Sequence, residues 1–135
     1  MVEVVNRQRT SKLPSLDWIA LTTKILELVG RADASVTIAF VSDRKIRDLN
    51  RMFRGLDKST DVLSFPSGED GQLLGDVAIS IETAKVQAKR HRLTLERELA
   101  QLILHGVLHL FGYDHETDNG EMNRLELRLR RRLKI

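Results

Sequence analysis

Three of the four histidines in this 135-residue chain lie together, in the segment HGVLHLFGYDH. His105 and His109 are four residues apart, so on a helix both side chains project from the same face. Gly112 can take the left-handed conformation that ends helices, which would let His115 turn back toward that face. Imidazole is a preferred zinc ligand, and three protein ligands leave a fourth position for water or substrate. The spacing therefore predicts an open metal site on the three histidines.

The same spacing is similar to the pattern HExxHxxGxxH of metzincin-type zinc peptidases, with Gly106 in place of the glutamate. In those enzymes the glutamate is the general base, so this chain has the metal ligands without the peptidase base. A glycine inside a helix lowers the stability of the helix by about 1 kcal/mol relative to alanine, so its presence at position 106 calls for a structural or functional explanation. Gly106 could allow close packing against another element, or leave space beside the metal for a group such as phosphate.

Zinc is the default metal for three histidines, although nickel or copper would also bind. A bound zinc lowers the pKa of its water to about 7, which suits hydrolysis or phosphoryl transfer. The alternative interpretation is that the histidines are core residues with satisfied hydrogen bonds. Asp114 could orient one of these histidines or simply stabilise the turn. His91 lies outside the cluster on a polar helix and is predicted to be a surface residue.

The elements that position the histidines follow from hydrophobic periodicity. The apolar run Leu99 to Leu104 predicts a buried central helix that begins after the cap Thr94. The turn-rich segment Ser67 to Gly71 predicts a hairpin. Strands are predicted over Val2–Asn6, Val36–Val41, Asp61–Phe65 and Leu73–Ser80, and further helices over Leu16–Val29, Asp43–Arg51 (cap Ser42, inner residues Ile46, Leu49 and Phe53), Ile81–Arg90 and a last amphipathic segment capped by Thr117.

These elements predict an α+β protein in which a small mixed sheet packs with about five helices, as in zincin-like metalloproteins. Without a linker or an internal repeat, residues 1–135 are expected to form a single domain. The composition, 41% hydrophobic and 30% charged, is that of a soluble globular protein. The absence of cysteine excludes disulfides and thiolate zinc sites.

The N-terminal residues MVEVVNRQR contain no apolar signal core, so we expect a cytoplasmic protein without a membrane partner. The formal net charge of +3 permits a polyanionic partner. The basic segment Arg128 to Lys134 predicts either a solvated last helical turn or an RNA contact.

Three blocks of sequence resemble the YbeY family of bacterial endoribonucleases and rRNA maturation factors. They are HGVLHLFGYDH, FRGLDKSTDVLSFP at Phe53 to Pro66, and LGDVAIS at Leu74 to Ser80. Met122 and Glu126 also fall where the family tends to carry Met-x3-Glu. Ser59 departs from the family, which often has proline at that position, and this change is expected to alter loop stiffness.

The resemblance implies one zinc ion on His105, His109 and His115, and cleavage of single-stranded RNA in 16S rRNA 3′-end maturation and ribosome quality control. It implies the 30S subunit as partner, together with small-subunit ribosomal proteins and a ribosome-associated GTPase, and no DNA. It also points to two catalytic residues, Arg54, in a predicted polar loop, and the metal ligand His109. A guanidinium can clamp a phosphate bidentately, although Arg54 could equally be an ordinary solvated side chain.

Asp61 and Asp76 are further candidates for a functional role. Each is predicted at the start of a strand, where the alternative is that the side chain only caps a turn. The nucleophile, water or the ribose 2′-OH, stays open. Two other functions are possible: a ribosome-assembly or RNA-binding factor with a structural zinc and little nuclease activity, and a peptidase, which the missing glutamate disfavours.

Overall fold

The computed structural model describes residues 1–68 and 73–135, and within them it has one sheet of four strands and five helices. The strands are β1 (Val2–Asn6), β2 (Ser35–Val41), β3 (Val62–Pro66) and β4 (Leu73–Ser80). The helices are α1 (Trp18–Leu28), α2 (Asp43–Arg54), α3 (Ile81–His91), α4 (Leu95–Leu110) and α5 (Glu121–Leu133). The predicted α+β class is confirmed.

The sheet is mixed, and its strands follow the order β1, β2, β4, β3. Strands β1, β2 and β4 are parallel. Helix α1 connects β1 to β2, whereas α2 and the strand β3 lie between β2 and β4 in the chain. Strand β3 is antiparallel to β4, with Val62 opposite Ile79, so the predicted pairing of these two strands is confirmed. The predicted turn over Ser67 to Gly71 lies largely outside the described residues. The edge position of β3 leaves it beside the histidine-bearing helix.

Helix α4 is the centre of the core, as its apolar sequence predicts. It packs on β3 and β4 and contacts α1, α3 and α5. Its buried apolar side chains include Leu99, Ile103, Leu104, Val107 and Leu108. Helix α2 covers the opposite face of the sheet, over a smaller cluster of Val41, Ile46, Leu63 and Ala78. None of the helices in the described residues combines the length and the apolar composition needed to cross a membrane.

Helix α2 is longer than its sequence predicts and ends at Arg54 rather than Arg51. Gly55 closes it in the left-handed conformation, with φ at 70°, and its N–H donates to the carbonyls of Asn50 and Arg51. Arg54 therefore lies on the last helical turn and not in a loop. The prediction of Phe53 as an inner residue is wrong, because its side chain is 63% exposed.

The start of α5 also differs from the prediction. Thr117 is not the cap; the carboxylate of Asp118 accepts hydrogen bonds from the N–H groups of Gly120 and Met122. These bonds, led by the one from Met122, lower the pKa of Asp118 below its ordinary value. Asp76 lies inside β4 rather than at a strand start. The basic segment Arg128 to Lys134 forms the last turns of α5 and its C-cap.

Helix α4 approaches the sheet closely at Gly106. A Cβ atom there would lie 2.5 Å from Cγ1 of Val77 and 3.2 Å from Cγ2 of Val62. The Ser64 hydroxyl donates to the carbonyl of Gly106 at 2.8 Å. Residue 106 thus faces the sheet rather than the histidines. Of the two explanations for this glycine, the structure supports close packing.

We predict that Gly106→Ala lowers the free energy of unfolding by about 1–2 kcal/mol. The overpacking cost of about 1–3 kcal/mol should exceed the helix propensity that alanine gains. Urea titration of Gly106→Ala, Val77→Ala and the double variant measures the coupling. The double variant should lose less stability than the two single losses together, because Val77→Ala removes the clashing methyl groups. A Gly106→Ala protein more stable than the original would contradict this packing.

Candidate metal centre

The three histidines predicted to bind a metal come together at the C-terminal end of α4. One ring nitrogen from each of them lies within 4.8 Å of the others, and Nε2 of His105 is 3.1 Å from Nε2 of His109. His105 and His109 stand on successive turns of α4, as their spacing predicts. The described residues therefore contain a histidine cluster that could hold a metal ion.

The third histidine reaches the cluster through the turn that Gly112 allows. Gly112 has a φ of 92°, and its N–H donates to the carbonyl of His109. Beyond it, the side-chain carboxylate of Asp114 accepts a hydrogen bond from the N–H of Glu116 at 3.0 Å, and its backbone carbonyl accepts from the N–H groups of Thr117 and Asp118. Of the two predicted roles of Asp114, these contacts support the stabilisation of the turn. The turn delivers His115, which is exposed, to the open side of the cluster.

A buried carboxylate orients the first histidine. Oε1 of Glu126, on α5, lies 2.7 Å from Nδ1 of His105, and the glutamate is only 7% exposed. A carboxylate partner keeps the proton of the neutral imidazole on Nδ1, which leaves the lone pair on Nε2. That lone pair points toward His109 and the centre of the cluster. Glu126 thus prepares His105 to act as a ligand.

The donor set fits a zinc ion. Two nitrogen atoms on one tetrahedral zinc lie about 3.4 Å apart, given Zn–N bonds of about 2.0–2.1 Å. The 3.1 Å between the Nε2 atoms of His105 and His109 is close to that separation. Two lone pairs that face each other at this distance repel unless a proton or a metal ion lies between them. The arrangement is therefore suited to a shared cation.

The surroundings of the second histidine shift its pKa toward the neutral form that a metal needs. Burial of the His109 ring is the main cause that lowers its pKa below the ordinary value, and the neighbouring His105 is the next. A hydrogen bond with the backbone of Tyr113 acts in the opposite direction. A ligand with a lowered pKa does not have to lose a proton before it binds a metal at neutral pH.

The histidine cluster opens into a cleft of about 390 Å³, which we call the histidine cleft. Arg54, at the end of α2, lines it together with the three histidines. One wall is the edge strand β3 with the preceding residues, and another is the turn after α4. The remaining lining residues are Thr60, Asp61, Val62, Leu63, Ser64, Pro66, Asp114 and Glu116. A guanidinium and the histidine cluster thus share one solvent-accessible space.

Two side-chain contacts between helices near the cluster could not be predicted from the sequence. The family resemblance includes Glu126 only as part of a motif. The one local feature that could have indicated its role is an acidic residue four positions after Met122, on the inner face of an amphipathic helix. His91 is half-exposed, as predicted, yet its Nδ1 contacts the buried carboxylate of Glu98 at 2.7 Å. Both pairs join different helices, so spacing along one helix does not reveal them.

We predict that Glu126→Gln weakens zinc binding about 10- to 100-fold, because the amide no longer fixes the tautomer of His105. Competition with a chromophoric chelator measures the affinity. Glu27→Gln, which makes the same charge change on an exposed side chain of α1, is the matched control and should bind zinc normally. Equal affinity in the two variants, with both folded, would show that Glu126 does not orient the ligand.

Comparison with known proteins identifies the family. The model of the family described as endoribonuclease YbeY matches residues 3–134. A relative of that name from Anaeromyxobacter sp. (strain Fw109-5) is 50% identical over 111 residues, 78% of this chain and 58% of the relative. This chain therefore spans less than two thirds of that relative. Another from Sulfurihydrogenibium sp. (strain YO3AOP1) is 46% identical over 120 residues, 85% of this chain and 79% of the relative.

The fold comparison agrees. The solution structure of TM1509 from Thermotoga maritima superposes with a TM-score of 0.65 and 34% sequence identity, over 95% of this chain and 85% of that one. The family match also covers β1 and α1, which lie outside the three sequence blocks that resemble the family. As those blocks predict, the chain belongs to the endoribonuclease YbeY family.

Proposed function

We propose that this chain is a zinc-dependent endoribonuclease that cleaves single-stranded RNA and acts in 16S rRNA 3′-end maturation and ribosome quality control. The observation that carries the proposal is that Arg54 and the three histidines line the same cleft. Phosphodiester hydrolysis needs both a group that holds the phosphate and a group that stabilises developing negative charge. The endoribonuclease name of the relatives supports RNA as the substrate.

Arg54 is proposed to hold the scissile phosphate. Its guanidinium can donate two parallel N–H bonds to two phosphate oxygens, and these bonds strengthen as charge builds on the oxygens. Arg54 lies on the last turn of α2, which Gly55 caps, so its backbone is held by the helix. His105, His109 and His115 are proposed to hold the zinc ion, so that His109 counts as a catalytic residue through its place in the cluster.

A zinc ion bound there would polarise an oxygen of water or phosphate and make attack possible at neutral pH. The proton of the attacking hydroxyl can pass to a carboxylate of the cleft wall. Asp61 and Glu116 line the histidine cleft and are candidates for that role. Product ends identify the nucleophile: a 2′,3′-cyclic phosphate indicates attack by the ribose 2′-OH, and a 3′-OH paired with a 5′-phosphate indicates attack by water.

The alternative of a structural zinc is less well supported. Structural zinc sites are normally closed by four protein ligands. Here the histidine cluster includes an exposed residue, His115, and faces a solvent-accessible cleft. The peptidase alternative has no support from residue 106, because a side chain there would meet Val77 rather than enter the cleft.

The proposed partners, small-subunit ribosomal proteins and a ribosome-associated GTPase, can be tested by affinity capture with purified 30S subunits.

We predict that zinc removal by chelation, or the substitution His109→Ala, abolishes RNA cleavage. The assay uses rigorously purified, metal-loaded protein on single-stranded 16S rRNA fragments, and added zinc should restore activity to the chelated original protein but not to the variant. Undiminished cleavage would mean that the activity belongs to a contaminant. An inactive His109→Ala protein that still restores 16S maturation in cells would favour the assembly-factor alternative.

We predict that Arg54→Ala lowers kcat/KM for RNA about 100-fold and leaves the zinc affinity unchanged. Arg54→Lys should recover little of the loss, because lysine keeps the charge but not the planar pair of donors. Arg51→Ala is the matched control on the same helix, since Arg51 is exposed and pairs with Asp48 at 3.1 Å. Equal losses in the alanine variants at positions 51 and 54 would mean that only general positive charge matters.

A further inference from the structure

A second cleft adjoins the histidine cleft, and we call it the lateral cleft. It measures about 540 Å³ and lies among α3, α4 and α5. Asp61 and His105 line both clefts, so the two spaces meet at these residues. The other lining residues are Gln87, His91, Leu93, Glu98, Gln101, Leu102, Glu126 and Arg130. A strand of RNA whose phosphate lies at the histidines therefore has the lateral cleft as a neighbouring space.

The lateral cleft contains a carboxylate, that of Glu98, which is almost completely buried. It is 3% exposed, and His91 Nδ1 at 2.7 Å is the hydrogen-bond partner that the structure gives its side chain. Burial of a carboxylate is costly unless its oxygens are hydrogen-bonded, and one imidazole N–H uses only part of their capacity. The carboxylate that lines the cleft can still accept hydrogen bonds from a ligand.

The charges of the lateral cleft disfavour a phosphate. Three of its side chains are carboxylates, Asp61, Glu98 and Glu126, while its permanent cation is Arg130. Arg130 already lies beside one of them, with Nη2 3.5 Å from Oε2 of Glu126. An anion would meet net negative charge, whereas a neutral ligand with N–H donors would be attracted. The histidine cleft, with Arg54, is the favourable place for the phosphate.

The remaining wall is suited to a flat, partly polar ring. Leu93 and Leu102 supply apolar surface, and the amides of Gln87 and Gln101 supply donors and acceptors. Proteins that take a nucleobase out of its stack hold it between aromatic or apolar side chains and read its Watson–Crick edge by hydrogen bonds. The size is also that of an ordinary small-ligand pocket, since such pockets measure roughly 300–1,000 Å³.

We propose that the lateral cleft binds one nucleobase next to the scissile phosphate, and that Glu98 selects a base with an exocyclic amino group. Cytosine presents an N4 amino donor where uracil presents a carbonyl oxygen, and only the former can donate to a carboxylate. Uracil would place its oxygen against the negative charge. The inference rests on the proposed function, because it takes RNA as the ligand.

The test compares two single-stranded probes whose bases differ at position 4, an amino group in cytosine and a carbonyl in uracil, and at the adjacent N3, which carries a proton only in uracil. Fluorescence anisotropy measures binding of labelled 2′-O-methyl oligocytidylate and oligouridylate of equal length to the zinc-loaded protein at one salt concentration. A homopolymer makes the unknown cleavage position irrelevant, because every register presents the same base. We expect the cytidine oligomer to bind about tenfold more tightly.

Glu98→Gln keeps the shape of the side chain but adds an N–H group that can donate to the uracil carbonyl. We expect the cytidine-to-uridine affinity ratio to fall to about two or less, while zinc affinity and the salt dependence of binding stay unchanged. Glu96→Gln removes the same charge from the same helix outside the lateral cleft and should keep the ratio of the original protein. If Glu98→Gln does not fold, Gln101→Ala takes its place and should weaken binding of the cytidine oligomer several-fold.

The outcomes separate the two proposals. Equal binding of both oligomers by the original protein overturns the base subsite and leaves the proposed nuclease intact. An unchanged ratio in folded Glu98→Gln overturns the selection by Glu98. Absence of binding to either oligomer overturns the proposed function, and the subsite with it.

Discussion

Close contact between the backbone of α4 and the sheet sets the position of the two histidines on which the candidate site depends. At Gly106 the side chains of Val62 and Val77 occupy the space that a Cβ atom would need. The Ser64 hydroxyl, bonded to the Gly106 carbonyl, fixes the same contact from the sheet side. Because proteins pack densely, the depth at which α4 lies cannot vary independently of these neighbours. The heights of His105 and His109, on either side of Gly106, follow from it.

The antiparallel edge strand is the second constraint. Strands β1, β2 and β4 form a parallel sheet, and β3 joins it in the opposite direction beside the histidine end of α4. This reversal carries the segment after α2 back across the histidines. Arg54 and Asp61, which are distant from the histidines in sequence, thereby come to line the same cleft as the cluster. The proposed phosphate-binding group and the histidine cluster are thus supplied by segments that lie far apart in the sequence.

The histidine cluster could be predicted from the sequence, because it depends on residues that are close together in the chain. Two histidines four apart on an apolar helix, followed by a glycine, define the cluster because helical geometry and a left-handed turn are short-range effects. Arg54 could be singled out only by resemblance, since an arginine near a turn has no distinctive pattern. The predicted ends were wrong at α2, which Gly55 closes after Arg54, and at α5, where Asp118 rather than Thr117 accepts the N–H bonds. The exact ends of helices are the least certain part of a reading from sequence.

What sequence could not predict is the set of contacts between helices. Glu126 and His105 are on different helices, as are Glu98 and His91. An acidic residue on the inner face of a helix signals that a partner exists, because a buried charge needs one. It does not say which residue the partner is. That choice depends on how α3, α4 and α5 are placed around one another, which is a property of the assembled core.

The bond between Glu126 and His105 has a consequence for the lifetime of the protein. It joins a residue of the C-terminal helix to a residue whose other nitrogen faces the metal-binding position. An ion bound there favours the state in which α5 is docked, and by thermodynamic reciprocity a docked α5 favours the ion. If the histidines hold a metal as proposed, a copy that lost it would also loosen α5 and become more accessible to proteases. Loss of the metal and turnover of the chain would then be coupled.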